Sequence, residues 1–177
     1  MPTPIRVSQS ELTAKKVLDQ YFGNIKHLDN YRPSWLNGLE LDRYYPTMGI
    51  AIEFQGDQHS RIVPVMQKGP EDFQKQVRND TKKRHICESR GIKLHAINLL
   101  DLDRFSVVNF AKRLAKEGDE YARQKGDKGE IYKISRIKFE EPDKDLMIKV
   151  DRLSHHRRDY YRNPQKNKSW WKKLLKI

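Results

Sequence analysis

Two short alternating stretches stand out near the middle of the chain. In the first, Leu39, Leu41 and Arg43 alternate with Glu40, Asp42 and Tyr44; in the second, Ile50, Ile52 and Phe54 alternate with Ala51, Glu53 and Gln55. Period-two alternation marks a half-buried strand. Pro46 and Gly49 supply a turn between the two, so the pattern predicts an antiparallel hairpin. If Tyr44 pairs with Ala51, Asp42 stands directly opposite Glu53.

Helical periods flank this hairpin. Ser8 and Glu11 have capping-box spacing. Ala14, Val17, Leu18, Tyr21 and Phe22 follow at helical intervals, and Gly23-Asn24 is a stop. Residues 24–35 read as a loop over Tyr31 and Trp35. After a short segment with Ile62, Val63 and Val65, Pro70-Glu71-Asp72 opens a second helix, because proline suits the first helical position and acids suit the first turn. Gly91 ends it. Residues 92–97 read as a buried third strand, and Asp101 as the cap of a third helix carrying Leu102, Phe105, Val108, Ala111 and Leu114 or Ala115. Residues 131–139 and 146–150 read as two short strands around a turn at 140–143. A hairpin followed by helix, strand and helix implies an α/β fold, a mixed central sheet flanked by helices. The expected organisation is a core over 1–118, a linker over 119–130, a small β-hairpin appendage over 131–150 and a tail over 151–177. There is no internal repeat.

Charge changes the picture at the C-terminal end. The 177 residues carry a net charge of +12, and residues 151–177 hold nine Lys or Arg against two Asp, a net +7. Such an excess favours a polyanion, either nucleic acid or an anionic membrane. Arg157, Arg158, Lys166, Lys168, Lys172 and Lys173 are candidates for phosphate contacts. Tyr160, Tyr161, Trp170 and Trp171 are interleaved with them and could stack on opened bases. The plainer alternatives are a solvated basic tail, or a terminal helix from Ser169 that docks on the body. A membrane role is weaker, since the apolar part of 170–175 is short. No apolar run is long enough to span a bilayer, and the first residues lack the apolar centre of a signal peptide. Cys87 is the only cysteine, which excludes an intramolecular disulfide and suits a reducing compartment. The expectation is a cytoplasmic, non-secreted protein with no membrane partner and no small-molecule cofactor.

The candidate chemistry lies in the hairpin. Directly opposed residues have Cβ atoms about 4.5–5.5 Å apart, and like charges there are destabilising. A divalent cation reverses that sign, and Mg²⁺ commonly uses one or two carboxylates with substrate phosphate. A hairpin with a merely polar outer face is the alternative. Gln76, Asp80 and Lys83 fall at i, i+4 and i+7 and share a helix face; an exposed Asp80–Lys83 pair is the bland reading. Glu11 has a capping role available, but in line with Lys15, Leu18 and Phe22 it also borders the buried face. His85 and Cys87 are too close for a typical zinc pair, and no motif supports a Ser or Cys nucleophile.

This order of residues resembles the PD-(D/E)xK nuclease superfamily, in which an Asp on one strand precedes Glu-x-Lys or Glu-x-Gln on the next. Those positions are Asp42, Glu53 and Gln55. The run from Glu53 to His59 looks closest to the branch related to very-short-patch repair endonucleases and homing endonucleases. That branch also uses a Glu on the first helix, a His after the second strand and an Asp on the next helix, matched here by Glu11, His59 and Asp80. The resemblance covers roughly residues 8–100. It implies a restriction-endonuclease-like core, hydrolysis of DNA phosphodiester bonds, and Mg²⁺, with Mn²⁺ as a substitute, held by Asp42 and Glu53. Gln55 departs from the usual Lys and carries no charge. His59 is then the natural general base, since imidazole titrates near neutrality, and Lys83 could restore the positive charge. Two other classes fit the same residues. One is a Holliday-junction-type resolvase, which usually acts as a homodimer. The other is a catalytically degenerate DNA-binding subunit of a larger assembly.

Overall fold

A computed structural model describes residues 9–54, 70–97, 102–104 and 106–162, with the backbone alone described for 70–73 and 154–162. The elements in order are α1 (Gln9–Phe22), β1 (Leu28–Tyr31), a short 3₁₀ turn (Ser34–Leu36), β2 (Leu41–Tyr45), β3 (Ile50–Phe54), α2 (Pro70–Ser89), β4 (Lys93–Ile97), α3 (Val107–Lys125), α4 (Lys128–Ser135) and α5 (Lys144–Arg162). The four strands form one mixed sheet in the order β1-β2-β3-β4. The first two pairings are antiparallel and β3 pairs with β4 in parallel. This is the α/β architecture the patterning predicts.

The hairpin register is the expected one, with Tyr44 facing Ala51 and Arg43 facing Ile52. Its turn depends on Gly49, at φ 61°, where a Cβ would also collide with the Tyr121 ring of α3. Glycine takes that conformation at no steric cost, and the Tyr121 ring leaves no room for a side chain. Alternation then sends β3 side chains to two separate cores. Ile50, Ile52 and Phe54 join Val17, Leu18 and Phe22 of α1, Phe110 and Leu114 of α3, Ile134 of α4, and Met147 and Val150 of α5. Ala51 joins Cys87 of α2, with Leu36, Leu41 and Ile92. Helices therefore cover both faces of the sheet, with α2 on the opposite side from α1.

Several expectations are corrected. The loop over 24–35 contains β1, whose Asp29 faces Arg43. The linker over 119–130 is mostly the end of α3, which runs to Lys125 and is closed by Gly126 at φ 69°.

The β-hairpin appendage over 131–150 is helical. Asp127 Oδ1 accepts from the Glu130 N–H at 2.9 Å and caps α4. Asp143, read as a turn residue, accepts from the N–H groups of Asp145 and Leu146 at 3.0 and 3.1 Å and starts α5. Satisfying these otherwise orphaned donors favours helix. Nor is the segment an appendage. Tyr21 donates to the Glu140 carbonyl at 2.7 Å and stacks on Phe139, while Met147 and Val150 are fully buried in the main core. Helix α5 also crosses the boundary expected at residue 150. The third helix starts at Val107; Asp103 accepts from the Ser106 N–H just before it, and Asp101 lies outside the described residues. No helix among the described residues is long and apolar enough to cross a membrane.

Candidate functional site

The site is built on a buried arginine. Arg43 of β2, 2% exposed, donates to Asp29 of β1 at 2.7 and 3.0 Å, to Asp19 of α1 at 2.6 Å and to the Lys15 carbonyl at 3.3 Å. A guanidinium offers five donors in a fixed fork, so this one side chain holds α1 and β1 against β2. That fixes the middle and end of α1 beside β2.

One step beyond the Arg43–Ile52 pair, the register sets Asp42 opposite Glu53. Asp42 Oδ2 accepts from the Phe54 N–H at 2.8 Å. Burial raises the Asp42 pKa. The Phe54 hydrogen bond opposes that rise, while the negative charge of Glu11 adds to it. Glu53 is pushed up to about 7, first by burial and then by the charge of Asp42. Lys83 of α2 only partly offsets this, although its Nζ lies 2.5 Å from Glu53 Oε2, and the Asp42 backbone amide adds a weaker downward pull. The other oxygen, Glu53 Oε1, is buried and completes no hydrogen bond among the described residues.

A second lysine enters from the other helix. Lys15 of α1 is buried, with its Nζ 2.8 Å from Glu11 Oε1, 3.4 Å from Asn30 Oδ1 and 5.7 Å from the centre of the Phe54 ring. Its positive charge and that of Lys83 both pull the Asp42 pKa down. Two facing carboxylates thus sit between two lysines, one from α1 and one from α2.

The structure therefore brings together Glu11, Asp42, Glu53 and Lys83. Asp80 stays out of this cluster; it is exposed on α2, and Lys83 pairs with Glu53 rather than with it. Gln55 and His59 lie outside the described residues, as do Lys166, Lys168, Trp170, Trp171, Lys172 and Lys173. Arg157 and Arg158 fall on the last part of α5, residues 154–162, where the backbone alone is described.

Sequence reasoning missed the part played by Lys15. Its position four residues after Glu11, amid apolar helix positions, was the available signal. It also missed His95, which lies within the stretch 92–97 that reads as a strand. His95 Nε2 is 2.8 Å from Glu117 Oε2 of α3, and its ring meets Phe110 edge-on. That pair lies on the sheet face opposite Glu53, because His95 is level with Ile52 and Ala96 with Glu53. Burial pushes the Cys87 thiol up to about 11, so it is not a thiolate at neutral pH.

Burial is the main reason both facing carboxylates resist ionisation, and the two lysines only partly offset it. A hard divalent cation with oxygen ligands suits the pair, since such an ion needs only one or two protein carboxylates. Among the described residues no three His, Cys, Asp or Glu side chains converge as a complete metal cage. The unbonded Glu53 Oε1 is an oxygen a cation would satisfy.

No family model matches the chain, and no solved structure matches it. It is similar to uncharacterized protein 094L of frog virus 3, at 39% identity over 82 residues, covering 46% of this chain and 53% of that protein. It is also similar to uncharacterized protein 307L of invertebrate iridescent virus 6, at 31% identity over 83 residues, covering 41% of this chain and 42% of that one. The chain thus spans about half the length of the curated viral relatives it matches.

Proposed function

We propose that the protein is a Mg²⁺-dependent endonuclease that hydrolyses DNA phosphodiester bonds at the Asp42–Glu53 pair. One observation carries the reading: two carboxylates face each other across the central strands, both with raised pKa values, and one buried oxygen of Glu53 lacks a hydrogen bond. Leaving two acids so arranged costs stability, and a bound cation would recover that cost. Asp42 and Glu53 would hold the ion. When bound, it would polarise a phosphoryl oxygen and lower the pKa of a coordinated water.

The chain's own groups have separate tasks. The Phe54 N–H fixes the orientation of Asp42. Lys83 restrains Glu53 and brings the cation that Gln55 does not carry. Glu11 and Lys15 border Asp42 as an ion pair. His59 is the general base in this reading, and the basic tail beyond residue 162 grips flanking DNA through its phosphates.

Asp42→Ala and Glu53→Ala are each expected to abolish Mg²⁺-dependent cleavage of a DNA panel while leaving DNA affinity largely intact. The panel contains linear, mismatched and four-way substrates. Wild-type turnover in either variant would remove the assignment. Preference for four-way DNA, together with a dimer in solution, would identify a junction resolvase.

The Lys83–Glu53 ion pair favours one second reading, a catalytically degenerate DNA-binding subunit in which the lysine takes the place of the ion. Binding to every substrate with no cleavage in Mg²⁺ or Mn²⁺ would select it.

A further inference from the structure

Helix α2 presents two different flanks. Lys83, Ile86 and Cys87 are half-buried or buried against the sheet, and Asn79 is half-buried on the same side of the helix. Lys75, Arg78 and Lys82 stand at i, i+3 and i+7 on a neighbouring flank, and all three are exposed. Residues at those intervals share a face, so the three cations form a stripe about 10 Å long. No described carboxylate forms an ion pair with any of them, whereas Lys83, the next residue after Lys82, reaches Glu53. Asp80, Arg84 and Glu88 fall on the far side of the helix.

Like charges three and four residues apart on a helix repel. A polyanion laid along the stripe would reverse that repulsion, as a cation would between Asp42 and Glu53. The stripe borders the residue that touches Glu53, so phosphates held along it would lead to the carboxylate pair. B-DNA offers about one negative charge per 1.7 Å of axis, more than enough to engage three cations over this length.

We infer that Lys75, Arg78 and Lys82 form a phosphate track on α2 that holds duplex DNA beside the Asp42–Glu53 pair, an inference that rests on the nuclease reading for its choice of polyanion. The contacts are to the backbone, so they give affinity and orientation without sequence preference.

The test is binding of a labelled DNA duplex by the full chain in EDTA, over a series of salt concentrations. Lys75→Gln, Arg78→Gln and Lys82→Gln combined are expected to weaken binding at least about tenfold and to flatten the plot of log affinity against log salt by about 2–3. A control with Lys112→Gln, Lys116→Gln and Lys128→Gln removes the same charge from exposed positions on α3 and α4 and should leave the slope unchanged. A third variant, with Lys75→Arg, Arg78→Lys and Lys82→Arg, keeps the charge and should bind like wild type. Equal losses in the α2 and control variants, or loss in the charge-keeping variant, would overturn the track. Stronger dependence on α2 for an RNA duplex than for DNA would overturn the choice of partner. Binding without metal is independent of cleavage, so the two readings can fail separately. An α2-dependent slope in a protein that never cuts defeats only the nuclease reading; cleavage with an α2-independent slope defeats only the track.

Discussion

Glu53 keeps its proton to about pH 7 in the fold, against an ordinary value of 4.5. Between those two pH values the folded chain holds a proton that the unfolded chain has released, so this residue makes stability fall as pH rises through the window and adds no further loss above it. Asp42 works in the same direction. Asp29 does not: burial raises it, but the hydrogen bond and charge of Arg43 outweigh burial and hold it below the ordinary carboxylate range. Wild-type stability alone therefore mixes opposing slopes, and a difference measurement isolates one. In metal-free buffer, the stability advantage of Glu53→Gln over wild type should grow from pH 4.5 to 7, by at most on the order of 3 kcal/mol. Urea unfolding at the two ends of the window checks it; a constant difference would mean that Glu53 titrates normally. The facing of Asp42 and Glu53 was legible because strand alternation and one turn determine it. The roles of Lys15 and Arg43 were not. Both are charged residues on apolar faces, and hydropathy patterning records the face without the carboxylates that meet the charge.

At the scale of elements, the error over 131–150 has a definite origin. Ile131, Ile137 and Phe139 fit strand alternation, while Ile131, Ile134 and Ile137 fit a helix equally well. Short apolar stretches are ambiguous on periodicity alone. The caps decide between them, and Asp127 and Asp143 suit a linker and a turn as readily as a cap. The same finding moves the boundary of the basic tail. Leu153 of α5 packs against the main core and Val150 is fully buried in it, so a cut after Val150 would divide a core helix. A cut after Arg162 ends with the helix. The chain ending at 162 should melt like the full chain yet bind DNA more weakly and with a flatter salt dependence, whereas the chain ending at 150 should also lose thermal stability. Thermal melts beside a salt titration distinguish them. If the chain ending at 162 binds as tightly and as steeply as the full chain, residues 163–177 are not a DNA-binding element.

At the scale of the molecule, positive charge is divided between the +7 of residues 151–177 and the remaining +5 of the +12 total, part of which lies on α2. The carboxylates lie on adjacent strands, and their lysines arrive from helices on opposite faces of the sheet. The overall α/β layering was legible from the alternation of strand and helix patterns. The pairing partner of β4 was not, because strand patterning does not specify which strand lies beside which. The parallel β3–β4 pairing has a kinetic consequence. The β2–β3 hairpin closes over a few residues, but β4 can reach β3 only after a crossover that includes all of α2. Contacts close in sequence form with less loss of chain entropy than distant ones. Asp42 and Glu53 should therefore meet before Lys83 arrives, so the rate-limiting step of folding would carry their repulsion without its counter-charge. A like-charge cross-strand pair costs up to about 1 kcal/mol, so Glu53→Gln should speed refolding in metal-free buffer above neutral pH by up to about fivefold. Stopped-flow refolding and unfolding on the same samples provide the measurement. A change confined to the unfolding rate would mean that the two acids come together only after the barrier is crossed.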